Sequence, residues 1–123
     1  MIYLGPVNDI KKVEKFFIER NFVFTQNSCC VTAVNGQEQL GLCLFELDKQ
    51  KITILHIEPL NDIPLADGIL RSTLHVAAEK SIMDAFYADT VPEEFLEKIN
   101  FIKEKSEKRL DINKLFQSCC NCK

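Results

Sequence analysis

Two periodicities alternate along the chain. Between residues 10 and 20, Ile10, Val13 and Phe17 recur at helical spacing, and Phe16 widens their stripe. Lys11, Lys12, Glu14, Lys15, Glu19 and Arg20 fill the remaining positions, which predicts an amphipathic helix lying on a sheet. Asn8 or Asp9 stands where a helix cap is needed, after a short extended Ile-Tyr-Leu stretch closed by Gly5-Pro6. From Cys29 the period shortens. The runs CCVTAV, LGLCLFEL and KITILHI are rich in β-branched and apolar residues, separated by Asn35-Gly36 and by Asp48-Lys49-Gln50. That pattern predicts an antiparallel meander of three strands.

The third of these strands opens the stretch 52–87, around which the rest of the chain is organised. Pro59 and Pro64 punctuate a turn, and a helix over about 64–80 follows. Leu65, Ile69, Val76 and Ala77 mark its buried stripe, flanked by Leu70, Thr73 and Leu74, and Pro64 is tolerated in the first turn because its N–H is unpaired there anyway. Residues 85–88 turn extended again. The result is a βαβ unit, and a fold of the α/β (α+β) class: a mixed sheet, antiparallel at first and parallel where the helix crosses over, with helices on both faces. Gly68 inside the helix costs about 1 kcal/mol relative to alanine, which points to a close approach by a strand or a ligand. Further on, Thr90-Val91-Pro92-Glu93 has the form of a capping box before Phe95, Leu96 and Ile99. Strands at Phe101-Ile102 and over 110–112 then flank the charged turn KEKSEKR, and the last residues add one helical turn. The expected organisation is one unit over 1–116 and a Cys-rich tail over 117–123.

Composition adds exclusions. The 123 residues are 46% hydrophobic, enough for one core, and 15 Lys plus Arg against 18 Asp plus Glu leave a net charge of −3. No basic field exists to attract nucleic acid or an anionic membrane surface, so neither partner is expected. There is no membrane-length apolar run and no signal-peptide pattern in MIYLGPVNDIKK, so the expected location is cytoplasmic, with reduced thiols. Of the six cysteines, Cys29, Cys30 and Cys43 sit in apolar, strand-like surroundings and read as small core residues, whereas Cys119, Cys120 and Cys122 crowd the tail. The tail thiols are candidates for a soft metal or a redox role, with Cys29 and Cys30 completing a site if the tail folds back; no metal site is assigned.

The order of elements, helix, three antiparallel strands, long helix, parallel strand, short helix and a final strand pair, resembles the GNAT N-acyltransferase fold. HIEPLNDIPLADGILRSTL stands where that family has its strand, Pro-containing turn and acyl-CoA pyrophosphate loop, and LADGILRSTL is similar to the helix of small clostridial-type members. PEEFLEKINF resembles the short helix that ends in Tyr-Glu-Lys-Leu-Gly-Phe in the family. The resemblance implies acetyl-CoA as cofactor and an amine of unknown identity as acceptor. It implies pantetheine beside Ile57, Glu58 and Pro59, and phosphates facing the backbone N–H groups of Leu65, Ala66, Asp67 and Gly68, with Arg71 one turn further on. It also implies a reduced acceptor pocket, because one N-terminal helix stands where two are usual; a second copy in a homodimer would supply the missing part.

The pyrophosphate loop departs from the family pattern of Arg or Gln followed by glycines. Here Asn61-Asp62-Ile63-Pro64-Leu65-Ala66-Asp67 has no basic residue and brings two aspartates to a site meant for anions. For catalysis, Glu58, acting through water, and His56 are the candidate bases; two apart on a strand, they share a face. The same pair also fits a satisfied histidine and a solvent-facing glutamate. In the family's thiolate-donor region Phe95 and Leu96 replace tyrosine, leaving Tyr87 as the nearest one. Two function classes remain: an acyl-CoA-dependent N-acyltransferase, and a GNAT-like binding or regulatory module that has lost the cofactor loop.

Overall fold

The computed structural model describes residues 1–116. Seven strands form a single sheet in the order β1-β2-β3-β4-β5-β7-β6. They are β1 (Ile2–Pro6), β2 (Ser28–Asn35), β3 (Glu38–Leu47), β4 (Lys51–Glu58), β5 (Asp84–Tyr87), β6 (Ile102–Glu104) and β7 (Arg109–Leu110). The helices are α1 (Ile10–Glu19), α2 (Ile63–Ala78) and α3 (Glu93–Lys98). The Asn35-Gly36 turn closes the β2–β3 hairpin, with Gly36 at φ 65°. The expected three-strand meander has a fourth member, since the extended N-terminal stretch pairs antiparallel with β2 from Ile2 opposite Asn35 to Pro6 opposite Val31. Only β4 and β5 run parallel, joined through α2.

Because side chains alternate across a strand, β3 supplies both faces of the sheet. Cys43 and Phe45 join Val31, Ile52, Ile54, Ile57 and the buried side of α2 in one core, while Leu42 and Leu44 join Cys30, Val13 and Phe17 of α1 in the other. Phe17 is edge-on to both Phe22 and Phe24, a ring geometry favoured by aromatic quadrupoles. Ile10, expected in the α1 stripe, is 70% exposed, because the first turn of the helix overhangs an open cavity at the β1–β2 edge. The stripe of α2 is also rotated from expectation. Ala66, Ile69, Leu70, Thr73, Leu74 and Ala77 are buried, and Leu65 and Val76 lie on its flanks. Thr73 is satisfied in the core by donating to the Ile69 carbonyl at 2.8 Å.

The capping box at Thr90 does not form. Pro92 is the N-cap residue of α3 and makes no side-chain cap bond. Its two expected members are engaged elsewhere: the Thr90 hydroxyl donates to the Leu55 carbonyl, and Glu93 accepts from Tyr87 at 2.6 Å. The C-terminal carbonyls of this helix are covered instead by Lys114, whose Nζ donates to Ile99 and Asn100 at 2.6 and 2.8 Å. After β7, the turn that begins at Asp111 closes with three successive i→i+3 bonds to Lys114, Leu115 and Phe116. No helix among the described residues is long and apolar enough to cross a membrane.

Candidate active site at the end of strand β4

Strand β4 outruns its parallel neighbour. Its pairing with β5 stops at Ile54 opposite Tyr87, with one further bond from Ala88 N–H to the Ile54 carbonyl at 2.8 Å. From His56 to Glu58 the strand is paired through β3. Opposite Leu44 and Phe45 the register slips by one residue, a β-bulge centred on Leu55. Leu55 packs with the α1-side core by simple alternation, and the slip returns Ile57 to the α2-side core and leaves His56 beside Phe22, with ring centroids 5.8 Å apart. Gly41 of β3 makes room for this strand end. A Cβ there would come within 2.7 Å of Pro59 Cδ and 2.9 Å of Ile69 Cδ1, and would strike the Glu58 carbonyl. Gly41, not Gly68, is thus the glycine that a close approach requires; a Cβ on Gly68 would make only ordinary contact with Leu4, at 3.5 Å.

His56 and Glu58 do share a face, and they touch: His56 Nε2 lies 2.7 Å from Glu58 Oε1. A third partner arrives from α1. Arg20 donates Nε to Oε1 at 2.8 Å and Nη2 to Oε2 at 3.0 Å, a two-pronged grip on the carboxylate. With Arg20 first among the causes and His56 adding to it, the Glu58 carboxyl is held down at about 2. A carboxylate that only accepts fixes the neutral imidazole as well. Nε2 carries the proton, and Nδ1 keeps the lone pair. The His56 side chain is 29% exposed.

At the start of α2 the donors expected to face an anion are already used. Asp62, the N-cap residue, accepts from Leu65 N–H through its side chain at 3.2 Å, and its carbonyl accepts from Ala66 N–H at 2.9 Å. Pro64 has no N–H to offer. Asp67 and Arg71 neutralise each other at 3.1 Å, and the Arg71 guanidinium lies over the Phe101 ring at 5.0 Å. The hollow beside this helix start is lined by Ile2, Leu4, Leu40, Pro64, Leu65 and Gly68, with Asp62 as the charged residue in its wall. Tyr87, buried, spends its hydroxyl on Glu93, and burial, ahead of that bond, pushes its ionisation far up.

Matches to solved structures follow the same architecture. The IAA acetyltransferase of Bacillus cereus aligns with 12% identity over 80% of this chain and 75% of its own, with a TM-score of 0.60. The ribosomal-protein-S18-alanine N-acetyltransferase of Escherichia coli aligns with 8% identity over 89% and 88%, TM-score 0.57. A GNAT family acetyltransferase of Elizabethkingia anophelis with acetyl-CoA bound aligns with 12% identity over 82% and 74%, TM-score 0.56. The chain has the GNAT fold. No family model and no curated protein matches the sequence itself. Within the GNAT fold, the end of β4 beyond β5 and the start of α2 are the places the sequence resemblance pointed to; at the first the Leu55 carbonyl accepts from the Thr90 hydroxyl, and the second is capped by Asp62. Arg20 escaped the sequence reading because nothing local marks it: on the helical wheel it is one more polar residue, and its partner is 38 positions away.

Elsewhere, a cavity of about 840 Å³ opens at the β1–β2 edge between Val13 of α1 and Ser72, His75 and Val76 of α2. The thiols that face the sheet are quiet. Burial pushes Cys30 up to about 12 and drives Cys43 higher still, and Cys29 is also raised by burial. Among the described residues no group of three His, Cys, Asp or Glu side chains is set to hold a metal ion. The metal or redox reading of Cys119, Cys120 and Cys122 lies outside the described residues.

Proposed function

We propose that the chain transfers an acyl group from a coenzyme A thioester to an amine, with His56 as the base. The observation that carries this reading is the bulged end of β4, which runs past the last residue paired with β5 and bears the His56–Glu58 pair. An extended amide chain such as pantetheine matches a strand edge of this kind, because it can add the missing ladder bonds. The thioester supplies the activated carbonyl. Nδ1 of His56 accepts a proton from the substrate ammonium; the freed nitrogen then forms the C–N bond as the C–S bond breaks, and the second proton released by that nitrogen passes through solvent to the departing thiolate. Glu58 was the first candidate for the base, but a carboxylate held at about 2 is a poor proton acceptor, and its role here is to orient the imidazole.

The two ends of coenzyme A fare differently. The arm fits the β4 edge, whereas the diphosphate finds a helix start occupied by Asp62 and a neighbouring Arg71 tied to Asp67. That occupied helix start favours a second reading, a GNAT-fold module that binds a partner or ligand without the cofactor. Calorimetric titration with acetyl-CoA decides between them. Saturable binding into the high micromolar range, with release of free thiol on adding amines that is about 100-fold slower in His56→Gln, supports the transferase. No heat at that concentration leaves the binding module.

A further inference from the structure

The Arg20 grip on Glu58 does more than join a helix to a strand. Nε and Nη2 take one carboxylate oxygen each, and the fork is itself braced: Nη1 donates to the Phe16 carbonyl at 3.1 Å, the guanidinium sits over the Phe16 ring at 5.5 Å, and Glu19 lies 3.6 Å from Nη1. A planar, rigid fork of this kind permits one orientation of the carboxylate, which a flexible ammonium would not impose. Oε1 then receives both Arg20 Nε and His56 Nε2, while the tilted Phe22 ring borders the imidazole. Without the fork, Glu58 could rotate about its own side chain and the ring could turn over, presenting either nitrogen to solvent.

We propose that Arg20 is a positioning residue of this site: by fixing both oxygens of Glu58 it holds His56 in the Nε2–H tautomer and keeps Nδ1 as the lone pair that faces substrate. The proposal rests on the acyl-transfer reading for its purpose and not for its test. In long-range 1H–15N spectra of the full chain at a pH where His56 is neutral, the two ring nitrogens give widely separated signals, assigned by removing the other histidine with His75→Gln. In Arg20→Met the separation narrows as tautomers begin to exchange, and Arg20→Lys, which keeps the charge without the fork, narrows it too. A separation unchanged in Arg20→Met, or an Nδ1–H tautomer in the parent chain, overturns the proposal. If Arg20→Met fails to fold, as judged by circular dichroism, the lysine variant carries the same comparison: narrowing supports the role and an unchanged separation removes it. Where turnover is measurable, kcat falls about 10- to 100-fold in Arg20→Lys with KM for the acyl donor unchanged. A chain that binds no acetyl-CoA but holds a single tautomer through Arg20 refutes the transferase alone; one that turns over with a tautomer indifferent to Arg20 refutes the positioning role alone.

Discussion

Three hydrogen bonds converge on the carboxylate of Glu58, two from Arg20 and one from His56. Its ionisation in the folded chain is therefore shifted down, from 4.5 to about 2, with the Arg20 bond as the main cause. A lowered carboxyl stabilises the fold fully above its unfolded value and loses that contribution as the pH drops through the folded value. The urea midpoint of the parent chain is accordingly expected to fall between about pH 4.5 and pH 2 by more than that of Glu58→Gln, the two curves converging at the acid end. Equal acid slopes would mean that the Arg20–Glu58 pair does not persist in solution. The i, i+2 spacing of His56 and Glu58 made their meeting legible in the sequence, as strand geometry alone puts both on one face. The third partner was not legible, because Arg20 reaches the pair only through the packing of α1 on β4. Thr90 misled in the opposite sense: its spacing to Glu93 satisfies a local motif, yet the carbonyl of Leu55, left over where β5 stops, is the partner it takes.

At the scale of elements, the start of α2 carries its own counter-ion. Asp62 caps the helix and places a negative charge where an anion would sit. Asp62→Asn keeps a good cap while removing that charge, so acetyl-CoA is expected to bind about 2- to 5-fold tighter with the melting temperature nearly unchanged. Unaltered affinity would show that the ligand does not approach the helix start. The other sensitive junction is β3 against the end of β4. Gly41→Ala forces a methyl group onto the Glu58 carbonyl and the Pro59 ring, and is expected to cost about 1–3 kcal/mol in urea unfolding while loosening His56. Gly68→Ala, whose new methyl meets only Leu4, should be neutral or stabilising by up to about 1 kcal/mol. Of the two alternatives the sequence offered for Gly68, no neighbouring strand comes closer than ordinary contact. Gly68 stands out because it interrupts a helix, whereas Gly41 lies in a strand run, LGLCLFEL, where its need arises from a neighbour across the sheet and leaves no periodic mark.

For the molecule as a whole, β3 ties the two cores together, since its alternate residues belong to opposite sides of the sheet. Cys30 reports on the α1 side and Cys43 on the α2 side; both are buried, with raised ionisation. In alkylation time courses read by mass spectrometry, the two thiols are expected to stay protected together and to react together as urea unfolds the chain. Earlier labelling of Cys30 would mean that α1 and its core open first. The β2–β3–β4 meander and the crossover were readable because alternation, Asn-Gly and the helical stripe are local signals, while the edge place of β1, the position of β7 between β5 and β6 and the division into two cores depend on which neighbour and face each strand finally takes. That division gives the Arg20 clamp a wider meaning. Arg20 is the C-cap residue of α1, and its grip on Glu58 is a side-chain tie from that helix to the strand that bears the base. Binding equilibria are reciprocal, so whatever a ligand gains from an ordered His56–Glu58 pair is returned as protection of α1. The N-terminal helix should thus act as a gauge of occupancy, its amides exchanging with deuterium more slowly when the end of β4 is filled.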